Sequence, residues 1–597
     1  MSSTSSASAS LHPGDRSLDV ARSRARLPVV LVDALLASAA VLMVAAPMLF
    51  TDSGFGLDFT NHLWLTWVAG RELVAAGHPG YFVSASGLGV FDPWFAFYGG
   101  TLYTVTGAIS ELLGGHPALA FVGVSTIAIA GAYGGTLWLG RQLGLARWIS
   151  HAPALVVITS AYYVTNLYGR GAWPEFMATS AIPPLLASAL HLVRAPRWRP
   201  WPVLLLALVT VCFTGSHNIT LLWGTTIGAL AALAGWLALH GRTRLPARRL
   251  IAVAGLALAS MAVNAWFLLP DVSYGRYVQI YAGTHSGAGD GYFDLPQVLF
   301  DPLRYVPRQS TTPALFVQVP DWFLAWALVA GIALLWRAPA TDALRRAWIA
   351  ILGVMAVVLS LIGLTPLWHW IPAPFSSIEF PYRLDSYVSY AVSALVLVGA
   401  LALQRSLASG DRRPTLERLR LGLALACAVS IGLCLWQLWV PSTLSRGLSY
   451  DNRQEALRSA GTRPRSWYTT EVYNDTRAPL VDVPAGRTLR IDPDDVHGDR
   501  FAAWVNAPSG TAPIQTNIAG GSYLVDVKGL TWVGRDASGY AVVRRTTPGA
   551  GPVHVVIETA HSGTIELADL VSVLACLAIL ATVAFTAVRH GRSRAHA

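Results

Sequence analysis

Apolar windows of about 20 residues recur down most of this chain, beginning with LPVVLVDALLASAAVLMVAAPMLF, and each is long enough to cross the hydrocarbon core of a bilayer. Only 13% of the 597 residues are charged, where a soluble chain would carry roughly 25%. The sequence is therefore that of a polytopic α-helical membrane protein, with the lipid bilayer as its first partner.

The net charge of +10 sits almost entirely on arginine, with 42 Arg and Lys528 as the only lysine. Much of it falls in short clusters between apolar runs, which is the positive-inside pattern rather than a basic groove for nucleic acid. The four cysteines (Cys212, Cys427, Cys434, Cys576) lie inside apolar runs with no metal-ligand spacing. They are expected as small thiols packed among helices.

The arginine clusters orient the spans. Arg22, Arg24 and Arg26 place a tail of residues 1–27 in the cytoplasm, and the lack of a small-residue cleavage site makes 28–50 a retained anchor helix. Returns to the inside are marked by Arg141 and Arg147, by Arg194 to Arg199, by Arg242 to Arg249, and by Arg337, Arg345 and Arg346. Two more follow at Arg405 to Arg420 and Arg589 to Arg594. Crossings fitted between them fall near 117–139, 150–168, 176–193, 201–217, 220–239, 250–269, 321–336, 347–365, 386–404, 421–440 and 566–588. With the first helix this gives about twelve spans. The stretch 93–113 breaks the charge parity and is expected to be re-entrant or interfacial.

On this topology residues 28–440 form a multi-span domain with outer loops 51–116 and 270–320. Residues 441–565 carry short alternating stretches such as SYLVDVKGLTWVG and VHVVIET between Gly, Pro and Asp, and predict a small extracytoplasmic β-rich domain. A final helix, 566–588, and a cytoplasmic tail, 589–597, complete the chain. The expected location is the plasma or inner membrane, with the site on the extracytoplasmic side.

Six arginines of the membrane domain fall on the outer side, and two stand in aromatic strings that also hold acids. Arg170 lies with Glu175 in LYGRGAWPEF, and Arg383 with Glu379 and Asp385 in IEFPYRLDSY. Ionisable groups held at a membrane edge among Trp, Tyr and Pro mark functional sites; snorkelling or structural pairing is the alternative. The string FTGSHNIT places His217 and Asn218 between two spans, where a helical hairpin needs polar residues in any case. In GLDFTNHLW, Asp58 and His62 are four residues apart and share a helical face. The stretch from His62 to Ala76 is expected as an amphipathic helix in the interface. A partly desolvated carboxylate there suits a general base, and the same Asp can equally cap a helix. The pair is also a weak signal for a possible divalent metal.

This arrangement resembles the GT-C superfamily of integral membrane glycosyltransferases. More narrowly, DFTNH with DPWFAFYGGTLY, YGRGAWPEF and EFPYRLD resemble the bacterial family labelled pyruvoyl-tetrahydropterin-synthase-related membrane proteins, over roughly residues 28–405. The superfamily resemblance implies a polyprenyl-phosphate-linked sugar as donor and an envelope glycan or lipid as acceptor, with transfer on the outer face. It implies Asp58 as general base, with His62 orienting it or touching the donor phosphate. Arg170 and Arg383 would neutralise the phosphate leaving group, and Glu175 and Glu379 would position them or the acceptor. His217 and Asp92 fall to the acceptor or positioning side, and Trp64, Trp94 and Trp173 to stacking on sugar faces. Many members carry two adjacent acids in the first loop, whereas Phe59 follows Asp58 here; Asp92 is the substitute farther along. Two other classes fit the same residues: a scaffold whose β domain binds envelope glycan, and a transporter or flippase of lipid-linked glycans. A transporter calls for polar groups through the depth of the bundle, and Asp33 is the main one seen there.

Overall fold

A computed structural model describes residues 14–50, 59–86, 89–92, 94–238, 246–274, 342–378, 381–408, 414–444 and 562–595, together with seven strands between 489 and 559. Asp58, Glu379, the loop beyond Tyr274 and the crossing expected at 321–336 lie outside the described residues.

The helices follow the apolar windows. In order they are α1 (Gly14–Phe50), α2 (Phe59–Ala76), a hairpin of β1 (Val83–Ser86) and β2 (Gly89–Asp92), α3 (Trp94–Phe97), α4 (Gly100–Leu112) and α5 (Pro117–Gln142). Next come α6 (His151–Thr159), α7 (Ala161–Val164), a π-helical turn (Thr165–Gly169), α8 (Trp173–Ser180), α9 (Ile182–Arg194), α10 (Pro200–Ser216) and α11 (Asn218–Ala238). Then follow α12 (Ala247–Ala262), α13 (Ala265–Tyr274), α14 (Asp342–Gly363), α15 (Asp385–Ala408) and α16 (Pro414–Leu444). Seven strands, β3 to β9, lead to the last helix, α17 (Gly563–Ala595).

Seven spans among the described residues are long and apolar enough to cross a membrane, and an eighth results if α12 and α13 count as one. The protein is a multi-pass helical membrane protein. Twelve crossings are not confirmed among the described residues, and two of those expected are interrupted. The crossing at 250–269 is bent by 76° between α12 and α13. Asn264 stands at the bend, fully buried, donating to the Val211 carbonyl (3.0 Å) and Thr214 Oγ1 (2.6 Å) and accepting from Thr101 Oγ1 (2.6 Å). The crossing at 150–168 is divided among α6, α7 and the π turn. The first expected crossing, 28–50, matches the span Val30–Leu49, inside a helix that starts at Gly14.

Strands β3 (Leu489–Ile491), β4 (Arg500–Ala507), β9 (Gly551–Thr559) and β6 (Val525–Lys528) form one antiparallel sheet in that spatial order. Strands β5 (Ile514–Gln515), β8 (Ala541–Arg545) and β7 (Leu530–Arg535) form a second. Ala503 pairs with Val555 across β4 and β9, the longest ladder of the two sheets.

The largest core joins Val44 and Met48 of α1, Leu63 and Val68 of α2, Tyr103 of α4, Phe121 and Ile129 of α5, and Trp173 and Phe176 of α8. The helix expected from His62 to Ala76 is buried over its first half, from His62 through Gly70 with only Trp64 partly exposed, and exposes Arg71, Val74 and Ala75 in its second. One correction follows. Trp173 is not a sugar platform: it is fully buried, donates to Ser125 Oγ (3.0 Å) and packs on Phe121 at 4.6 Å. Of the cysteines, Cys576 faces outward on α17, Cys434 is buried, and all four are free.

Helices α2 and α4 touch backbone to backbone. A Cβ on Gly107 would stand 2.4 Å from the Gly70 nitrogen, and one on Gly70 2.6 Å from the Gly107 carbonyl oxygen. Small residues allow such approach where no water-driven force presses helices together. Gly107→Val should therefore misfold, at a cost of about 3 kcal/mol or more since neither backbone can yield. The fraction eluting as a single species on gel filtration in detergent measures this; a normal profile would mean that the helices can part without loss.

Toward one end of α5, Asp33 of α1 is buried and receives Arg141 (2.7 Å), Arg147 and His151 Nε2 (3.2 Å). His151 in turn meets Tyr133 at 2.6 Å through Nδ1. The polar residue that stood alone in the first helix is thus an anchor tying α1 to α5 and α6. Arg141 lies twenty residues from Phe121 along α5, or about 30 Å at 1.5 Å per residue.

Candidate functional site

At the Phe121 end, the chain is shaped to bring Arg170 back onto Glu175. The π turn ends with the Arg170 N–H bonded to the Thr165 carbonyl at 2.8 Å. Gly171 then takes φ +67°, a left-handed value that a side chain resists. The chain reverses, and α8 starts at Trp173 with Pro174 in its first turn, where a missing N–H costs nothing. π turns of this kind recur at functional sites.

Glu175 is the hub. Its Oε2 accepts from Arg170 at 3.0 Å and stands 3.9 Å from Arg383 Nε, and its Oε1 accepts from the Tyr162 hydroxyl at 3.1 Å. Arg170 also donates to the Tyr162 oxygen at 2.8 Å, and its guanidinium lies 5.1 Å from the centre of the Tyr382 ring. Arg170 and Glu175 are 4% and 2% exposed, so each charge depends on the other for its solvation. Two guanidiniums share one carboxylate, which leaves the trio with a formal excess of one positive charge. Asp385, two residues beyond Arg383, is buried at the first turn of α15.

Beside this trio lies an aromatic cluster. His62 is buried, with Nδ1 2.6 Å from the Tyr103 hydroxyl and its ring stacked over Tyr98 at 6.4 Å. The edge of Tyr98 meets His217 at 5.3 Å. His217 stands at the break between α10 and α11, and its Nδ1 accepts the Thr220 N–H at 3.1 Å. The proton of the neutral ring therefore sits on Nε2.

Five residues singled out in the sequence, His62, Arg170, Glu175, His217 and Arg383, thus fall into one region from four separate parts of the chain. Asp92 closes β2, paired with Val83. Tyr98, Tyr103, Tyr162 and Tyr382 were not singled out; tyrosine is frequent among the spans, and only the fold shows which hydroxyls meet charge. Among the described residues no group of three or more His, Cys, Asp or Glu side chains is placed to hold a metal ion. Asp58, which with His62 forms the pair read as a weak metal signal, lies outside those residues.

No protein-family model matches the chain, and no curated protein matches it. The narrower family resemblance of its three strings therefore has no support beyond the strings themselves. Solved structures with a similar fold include the archaeal oligosaccharyltransferase AglB from Archaeoglobus fulgidus, in complex with an inhibitory peptide and a dolichol-phosphate. That match has 14% identity and a TM-score of 0.41, and covers 75% of this chain and 58% of that one. ArnT from Cupriavidus metallidurans matches at 15% identity and TM-score 0.39, over 71% of this chain and 78% of its own. The arabinofuranosyltransferase AftD from Mycobacteria matches at 15% identity and TM-score 0.44, over 89% of this chain and 40% of its own.

Proposed function

We propose that the protein is a membrane glycosyltransferase that moves a sugar from a polyprenyl-phosphate donor to an envelope glycan or lipid acceptor on the outer face of the membrane. The observation that carries this is Glu175 holding Arg170 and Arg383 together on one buried carboxylate. Such a pair suits a phosphate whose charge grows as a bond to it breaks.

In the proposed step Asp58 takes the proton of the acceptor hydroxyl as that oxygen forms its bond to the anomeric carbon. The bond from that carbon to the phosphate oxygen breaks, and polyprenyl phosphate leaves with the electron pair toward Arg170 and Arg383. Asp58 then returns the proton to water. His62, four residues from Asp58 and fixed by Tyr103, orients the base or meets the phosphate. Glu175 sets the two arginines, as Glu379 would from the string that holds Arg383.

Membranes holding the intact protein are supplied with a panel of radiolabelled polyprenyl-phosphate sugars, and release of polyprenyl phosphate is followed. Turnover of one donor is expected. Arg383→Ala should raise the KM for that donor about tenfold or more, the loss of one charge-assisted contact, while the acceptor KM stays. Equal loss for donor and acceptor would make the arginine structural, and folded protein that turns over none of the donors would remove the transferase.

A further inference from the structure

The string FTGSHNIT gives the site His217; its neighbour Asn218 is used by nothing above. Asn218 opens α11 and donates both amide hydrogens, one to the Phe97 carbonyl at 2.9 Å and one to Asp271 Oδ2 at 2.7 Å. Both partners are acceptors, so the side chain cannot be turned over and its Oδ1 is fixed as an acceptor. That oxygen is buried and has no hydrogen-bond partner among the described residues. Asp271 reaches the Asn218 amide nitrogen from α13, the short helix beyond the 76° bend, and α13 packs on α3.

A second buried polar atom sits on the same turn. Trp94, in the first position of α3, packs edge-on to Tyr98 at 5.9 Å, and its Nε1–H has no partner among the described residues. Buried polar groups are rarely left without a partner, and each such group calls for a ligand or an ordered water. The set is an amide oxygen and a carboxylate that accept, an indole N–H that donates, and the Tyr98 ring between Trp94 and His217. It carries no cation for a phosphate. Mixed donors and acceptors beside aromatic rings are the complement of a neutral ligand rich in hydroxyls.

We infer that Asn218, Asp271 and Trp94 form a glycan subsite around Phe97 and Tyr98, separate from the Arg170–Glu175–Arg383 trio, in which Asn218 and Asp271 accept hydrogen bonds from sugar hydroxyls. The inference rests on the proposed function for what the glycan does there, namely serve as acceptor, and on these side chains for its binding. The bend at Asn264 then has a purpose: it turns α13 so that Asp271 reaches the neighbour of His217. Asp271 is a positioning residue, acting on the acceptor through its hydroxyls and not on the reacting bond.

The full-length protein in phospholipid nanodiscs, free of glycoside detergents, is titrated with radiolabelled methyl glycosides of glucose, galactose, mannose and arabinofuranose. At least one should bind saturably, and Asp271→Asn should weaken that binding tenfold or more. Arg383→Ala should leave it unchanged. No saturable binding by folded intact protein overturns the inference, as does an Asp271→Asn variant that binds like the parent. Should that variant fail to fold, Trp94→Phe decides in the same way, with an expected loss of threefold or more. Glycoside binding without turnover of any polyprenyl-phosphate sugar would end the transferase and keep the subsite; turnover with no glycoside binding would do the reverse.

Discussion

Asp58→Asn is expected to lower the rate of sugar transfer by about 10²- to 10⁴-fold, the range over which a positioned base contributes to proton transfer. The change keeps size and shape and removes only the capacity to take a proton. Donor affinity should therefore hold, because the proposed step gives the phosphate to Arg170 and Arg383 and not to Asp58. The measurement is single-turnover release of polyprenyl phosphate by intact protein and variant at matched amounts of folded protein, with donor binding measured separately. A variant that turns over normally would reduce Asp58 to a helix cap. In that case a scaffold would be favoured if deleting 441–565 alone removed function.

Glu175→Gln carries the second large effect, and this one is read in stability. Removing one partner of a buried pair leaves the other charge in a poorly solvating place, at about 3–5 kcal/mol. Here one carboxylate serves two guanidiniums, so both lose it together. Glu175→Gln with Arg170→Leu should be closer to the parent than Glu175→Gln alone, because the stranded charge goes as well. Unfolding followed in lipid–detergent micelles gives the four corners of that cycle. Polyprenyl phosphate should raise the midpoint of Glu175→Gln by more than that of the parent, since an anion takes the vacated role. A single variant within about 1 kcal/mol of the parent would show that the trio is solvated by other means and contributes little.

The sequence told more about composition of the site than about its construction. The strings around Arg170 and Arg383 were visible because charge is scarce in a chain 13% charged, and scarcity makes each ionisable residue stand out. That Glu175 would bridge both arginines was not visible, since the bridge depends on the π turn and on Gly171 reversing the chain. The burial of polar residues on the helix from His62 to Ala76 was also not visible. Its polar residues suggest a wet face, yet Thr66 turns inward to bond the His62 carbonyl at 2.9 Å, and Glu72 is 6% exposed. The 76° bend at Asn264 was likewise invisible to hydropathy; a window average does not register one residue that ties three partners. Asp271 went unnoticed because its partner is more than fifty residues away in sequence.

The two helices that flank the strands have different neighbours. Helix α16 packs chiefly on α6 and α15, whereas α17 packs on α10, α12 and α13, and Tyr81 holds α17 through Asp569 at 2.8 Å. The strands are thus a bridge whose two footings stand on separate groups of helices. Of the two footings, α17 is the one that shares its helices with the bent pair carrying Asp271. Severing the chain within 445–488 would cut one footing and leave the other, so the two halves would remain joined only as far as helix packing holds them.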